Sequence, residues 1–92
     1  MDIYAQIITK IIEQQESIIG PVAIQQAQQI TGIKVDWPNH QVVIQGDAKA
    51  TINSLIEQYK TLFGQIAVEV SKDAVAKLTS QLSDAQLPES LK

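Results

Sequence analysis

Residues 11–24 read IIEQQESIIGPVAI and residues 55–68 read LIEQYKTLFGQIAV, so the chain repeats one phrase 44 positions apart. Five positions are identical in the two copies, and five more carry side chains of similar shape. The identical residues are Ile12, Glu13, Gln14, Gly20 and Ala23 in the first copy and Ile56, Glu57, Gln58, Gly64 and Ala67 in the second. We interpret the repeat as two equivalent helical segments that pack about a pseudo-twofold axis.

Small residues recur on one helical face of both copies, at Gly20 and Ala23 and again at Gly64 and Ala67. Because small side chains let two backbones approach closely, we expect the segments to cross there, within one chain or between chains. The alternative is that both glycines are merely helix ends and that the likeness reflects shared amphipathic composition. On the first interpretation, the predicted crossing and oligomer interface comprises Ile8, Ile11, Ile12, Ile19, Gly20, Ala23, Gly64 and Ala67.

The first helical region extends from Ile3 to Ile30, where apolar residues keep the spacing of an amphipathic helix. Gly20-Pro21 interrupts it, because proline cannot donate a backbone hydrogen bond and its ring crowds the preceding turn. The sequence predicts either a kink there or a break followed by a second helix, with a stop at Gly32.

Alternating apolar and polar residues then predict a β-hairpin between Gly32 and Gly46. Asp47 is a plausible N-cap for a second helical region, in which helical spacing continues from Ile52 to Leu82. As one helix, that stretch would measure roughly 45 Å, longer than the ~32 Å diameter expected of a globule of this size. Either Gly64 divides the helix or a second subunit covers the projecting part.

The predicted fold is therefore α+β, in the order α-β-β-α, with two long amphipathic helical regions flanking a central hairpin, and the sequence leaves open whether Gly20-Pro21 and Gly64 kink or break them. Residues 1–84 are expected to form a single domain. Residues 85–92 are polar and contain Pro88, and we predict that they form a flexible C-terminal tail.

Composition limits the classes of partner. Hydrophobic residues make up 45% of the 92-residue chain and aromatic residues only 4%, so the core must be aliphatic. Charged residues are only 18%, and small domains of this kind often gain stability by association. All seven basic residues are lysine and the net charge is −3, which argues against nucleic acid as a partner. No apolar run is long enough to span a bilayer, no secretory signal is evident, and cysteine is absent, so we expect a cytoplasmic location without membrane partners.

The sequence offers no constellation of residues that would support catalysis, a metal site or a cofactor. The single histidine, His40, stands in a predicted turn with Trp37, and the carboxylates lack the spacing of a calcium loop. Trp37 and His40 are possible contacts for a partner. Alternatively, Trp37 caps the edge of the core with its indole N–H satisfied nearby, and His40 is a solvated turn residue.

These observations favour a small non-enzymatic homo-oligomeric module, an adaptor or regulatory scaffold that packs through isoleucine-rich helices against itself and against another protein. One alternative is a small-ligand-binding module with an apolar pocket between the helices. A ribbon-type DNA-binding regulator is the weakest hypothesis, because the hairpin offers only Lys34 as a cation.

Overall fold

Four α-helices flank a two-stranded antiparallel hairpin in the computed structural model, which describes residues 2–92. The fold is α+β, as the sequence predicts. In chain order the elements are α1 (Ile3–Ile19), α2 (Val22–Gln28), β1 (Ile33–Asp36), β2 (Gln41–Ile44), α3 (Ala48–Phe63), α4 (Gln65–Thr79) and a final 3-10 turn (Glu89–Leu91).

Aspartate side chains start the first helix of each helical region. The carboxylate of Asp2 accepts a hydrogen bond from the backbone N–H of Tyr4 at 3.2 Å. That of Asp47 accepts one from Ala50 at 3.0 Å, which confirms the predicted N-cap. Each cap satisfies a backbone donor that the first turn of a helix would otherwise leave without a partner.

Glycines at equivalent positions of the repeat end α1 and α3. Gly20 has φ 74° and ψ −154°, and Gly64 has φ 84° and ψ −175°. This region of backbone conformation is accessible almost exclusively to glycine, because a Cβ atom would clash with the backbone. Both helical regions are therefore broken into two helices, and the break at Gly64 removes the predicted overhang. The molecule measures 32 × 26 × 20 Å along its principal axes.

The hairpin lies with one face against the helices. Its register pairs Ile33 with Ile44 and Val35 with Val42, and the side chains of Ile33 and Val42 are buried. The strands contact α1 and α2 on this side. This packing supplies the support that an isolated two-stranded ribbon lacks in water.

The core is aliphatic and draws equally on the two copies of the repeat. On α1 and α3 the buried residues follow helical spacing, and five repeat-related pairs of residues are buried on both sides. Tyr59 is the largest of the fully buried side chains. The paired positions are Ile7 with Thr51, Ile8 with Ile52, Ile11 with Leu55, Ile12 with Ile56, and Gln15 with Tyr59.

The C-terminal segment differs from the flexible tail predicted for residues 85–92. Pro88 and Leu91 are buried, and the final 3-10 turn packs on α3. The side chain of Asn53 accepts hydrogen bonds from the backbone N–H and the hydroxyl of Ser90, at 2.9 and 2.6 Å. The two buried side chains and the hydrogen bonds to Asn53 therefore hold this segment against the rest of the domain.

Candidate functional site

A reciprocal pair of hydrogen bonds ties the two copies of the repeat together. The side-chain amide of Gln15 donates to the carbonyl oxygen of Ala67 at 3.1 Å. The phenolic hydroxyl of Tyr59 donates to the carbonyl oxygen of Ala23 at 2.6 Å. Gln15 and Tyr59 are equivalent in the repeat, and so are Ala23 and Ala67. Each copy thus donates to the same backbone position of the other, which is the reciprocity that a twofold relation between the copies produces.

Both bonds are buried. Gln15 also donates to the hydroxyl of Ser71 at 3.1 Å, and that hydroxyl donates to Ala67 at 2.8 Å. Burial raises the pKa of Tyr59 above its usual value, because the phenolate would lose its hydration. Among the described residues every buried polar side-chain atom has a hydrogen-bond partner. The interior is therefore complete within one chain.

These two bonds join the two glycine-broken segments at both of their ends. Residues 15–23 contain Gly20, residues 59–67 contain Gly64, and the bonds join the start of each segment to the end of the other. The segments therefore run antiparallel and in contact. We call the two glycine breaks, with their flanking residues 17–22 and 61–66, the corners.

Most of the residues predicted to form the crossing or the oligomer interface are covered within one chain, one of the two possibilities that the sequence left open. Ile8, Ile11, Ile12 and Ala23 are fully buried inside one chain, and Ala67 is almost so, because they form the intramolecular core. They have no surface to offer a second copy. Of the predicted set only Ile19, Gly20 and Gly64 are partly or fully exposed.

The predicted close crossing at the glycines is also absent within the chain. A Cβ atom built on Gly20 or Gly64 would meet no atom of residues 2–92 within 4 Å. Both glycines serve as helix ends, as in the alternative interpretation, and their backbone conformation is the reason for glycine. The repeat is nevertheless real in its packing, as the reciprocal hydrogen bonds show.

Four large apolar side chains are exposed at the corners. Ile18 is 56% and Val22 39% exposed in the first copy, and Leu62 is 48% and Ile66 67% exposed in the second. Leu62 is the repeat equivalent of Ile18, and Ile66 is that of Val22. We call these four side chains the corner surface. Val43, on the outer face of β2, is the fifth large apolar side chain that is exposed among residues 2–92.

The corner surface lies in two uncharged stretches. Residues 17–22 read SIIGPV and residues 61–66 read TLFGQI, without a lysine or carboxylate in either. Sequence reasoning missed this surface because the broad apolar stripe of α1 was assigned to association as a whole. The signal that could have found it is the coincidence of helix-breaking glycines with uncharged apolar flanks in both copies.

The predicted contact residues Trp37 and His40 hold the hairpin turn on α1. The indole N–H of Trp37 donates to Glu16 at 3.3 Å, and Nδ1 of His40 lies 2.8 Å from a carboxylate oxygen of Glu13. The two rings are stacked, with their centroids 4.1 Å apart. Trp37 is half-buried and closes the edge of the core, whereas His40 remains exposed.

A shallow groove of about 700 Å³ lies between α1 and α4. Ala74 and Leu78 contribute apolar surface, while two lysines and two carboxylates also line it: Lys10, Lys77, Glu13 and Asp73. In the part of the chain that the structure describes, no three metal-ligating side chains gather. None of the helices in residues 2–92 has the length and apolar character needed to cross a membrane.

No protein-family model, curated protein or solved structure matches this chain.

Proposed function

We propose that this protein is a small non-enzymatic interaction module, an adaptor or regulatory scaffold, that works as a homo-oligomer. The observation that carries the proposal is the corner surface, where four large apolar side chains remain exposed on a domain whose core is already filled. Exposed apolar patches of a few hundred Å² or more often mark sites of protein association.

The origin of the association differs from the one that the sequence suggested. The isoleucines of α1 and the apolar residues of α3 cover one another inside the chain, so a partner is not required to complete the core. Association is instead an additional property of the surface. This distinction predicts a monomer that is folded by itself and a complex that forms without refolding.

A ligand-binding module is the second candidate, and the groove between α1 and α4 is the observation in its favour. Its two lysines and two carboxylates make it a mixed-charge groove rather than the apolar pocket first considered. A DNA-binding ribbon has less support, because the register places Lys34 opposite Val43, and Asp36 opposite Gln41, on the exposed face of the hairpin.

Sedimentation equilibrium of the full chain between about 1 and 100 μM tests the proposal. We expect the average molar mass to rise from that of a 10.1 kDa monomer toward a multiple of it as concentration increases. Circular dichroism of the same samples should remain constant, because the subunit is folded before it associates. A monomeric mass throughout this range would contradict the proposed function.

A further inference from the structure

We infer that the occupant of the corner surface is a second copy of this chain, which docks with its own corner surface to form a twofold dimer. The inference rests on the proposed function and names the interface that the proposal leaves open. Three properties of the corners support it: their internal symmetry, their lack of charge, and their size.

Internal symmetry makes the corner surface suited to pairing with itself. In a twofold dimer, both subunits contribute the same patch, so the patch must be complementary to itself. Ile18 and Leu62 are related by the repeat, as are Val22 and Ile66, and the reciprocal hydrogen bonds set these pairs about the intramolecular pseudo-twofold axis. A second copy can approach along this axis in two orientations that differ by a half-turn. In both orientations its exposed apolar side chains face those of the first copy.

Charge favours the corners over the rest of the surface for contact between identical chains. The protein has a net charge of −3, so two copies repel each other at long range. Residues 17–22 and 61–66 carry no charge, and contact between them brings no like charges together and strips no ion of water. The nearest charged residues in the sequence, Glu16 and Lys60, are of opposite sign and flank equivalent ends of the two stretches.

The area of the corner surface sets the expected affinity between the two copies. Four partly exposed aliphatic side chains present on the order of a few hundred Å² of apolar surface. A standard interface buries about 800 Å² on each partner, so the corner surface forms the apolar centre of the contact and the adjoining helix ends form its rim. We therefore expect a reversible dimer with a dissociation constant in the micromolar range rather than an obligate one.

The first test replaces the most exposed side chain of each corner. Ile18→Ser together with Ile66→Ser should raise the dimer dissociation constant at least about tenfold in sedimentation equilibrium, because two large apolar contacts per subunit are lost. Val43→Ser is the matched control, since Val43 is 59% exposed but lies on the hairpin, outside the corners. The control should leave the dissociation constant unchanged. Circular dichroism of both variants verifies that they are folded.

The second test uses the absence of cysteine from the chain. Ser17 and Thr61 are exposed and equivalent in the repeat, so Ser17→Cys and Thr61→Cys report on the two corners. Under mild oxidation, at least one of three samples should give a disulfide-linked dimer: either variant alone, or a mixture of the two. Lys34→Cys, on the exposed face of the hairpin, should give none.

The outcomes separate this inference from the function on which it rests. A dimer whose dissociation constant is unaffected by the Ile18 and Ile66 substitutions, and that forms no disulfide through the corners, would place the interface elsewhere and leave the proposed function standing. A wild-type chain that stays monomeric to 100 μM would overturn both.

Discussion

At the scale of single residues, glycine recurs at the two helix breaks because of the backbone conformation that each break requires. Gly20 and Gly64 each combine a positive φ with an extended ψ, and each donates its N–H to the residue four positions earlier, Glu16 or Lys60. Open space surrounds both α-carbons. The constraint is therefore conformational, and the size of the side chain matters less than the presence of a Cβ atom.

Gly20→Ala and Gly64→Ala should each lower the free energy of unfolding by about 1–3 kcal/mol, the usual cost of holding a non-glycine residue in such a conformation. Gly46→Ala is the control, because Gly46 lacks a positive φ and a Cβ atom there would also enter open space. Urea denaturation measures all three. Equal stability of the Gly20 and Gly46 variants would show that the backbone at Gly20 is not strained by a side chain.

Tyr59→Phe should destabilise the protein by about 1–3 kcal/mol at pH 7, because the buried carbonyl oxygen of Ala23 loses the hydrogen bond from the phenolic hydroxyl. The effect should depend on pH. Burial raises the pKa of Tyr59 in the folded state above that of the unfolded chain, so the folded protein retains the phenolic proton more tightly. The stabilisation that depends on this proton is complete below about pH 10 and declines at higher pH.

The measurement is urea denaturation of wild type and Tyr59→Phe at pH 8 and at alkaline pH. The gap in stability between the two proteins should narrow as the pH rises, because only the wild type loses stability through Tyr59. The comparison with Tyr59→Phe isolates the contribution of Tyr59. A gap that stays constant up to pH 11 would contradict the assigned cause.

At the scale of elements, periodicity predicted the helices and the hairpin well. The apolar spacing from Ile3 to Ile30 and from Ile52 to Leu82 located both helical regions, and the alternation after Gly32 located the strands. Asp47 was identified as a cap because its chemistry is local. Periodicity did not decide between a kink and a break at Gly20, since that choice depends on the backbone torsions of one residue.

The C-terminal segment escaped prediction for a different reason. Its anchors, Pro88 and Leu91, are two apolar residues in a polar stretch too short for any period to be recognised. Their burial depends on a surface of α3 that only the folded chain assembles, together with the acceptor supplied by Asn53. Sequence patterns describe the face of an element and cannot describe a docking site formed by distant residues.

Leu91→Ala should lower the free energy of unfolding by about 2 kcal/mol or more, because it removes a nearly buried side chain from the core. Leu87→Ala, in the same segment, replaces a leucine that is only half-buried and should have a smaller effect. Thermal or urea unfolding compares them. A Leu91→Ala protein as stable as wild type would restore the flexible tail predicted from the sequence.

At the scale of the whole molecule, the two halves of the chain cover each other. α1 packs mainly on α4, and α2 also contacts α3, so the two halves share one hydrophobic core. The sequence indicated which residues would be buried but did not decide whether Ile8, Ile11 and Ile12 would be covered within one chain or by a second subunit. An apolar stripe on a helix predicts that this face is buried. It does not predict whether the same chain or another subunit buries it.

Fragments 1–46 and 47–92 should therefore be largely unfolded in isolation and regain helix when mixed. Circular dichroism at 222 nm should show more helical signal for an equimolar mixture than for the sum of the separate fragments. Gln15→Ala in the first fragment, which removes the bond to Ala67, should weaken the recombination. Full helicity of either fragment by itself would show that the halves fold independently.

The reciprocal bonds of Gln15 and Tyr59 also bear on ancestry. Two chemically unlike side chains make equivalent bonds at matching places, a pattern that duplication of a gene followed by divergence of its copies would produce. A half-length forebear carrying this phrase once could have bound its twin through the same contacts, and fusion would have made the pairing permanent.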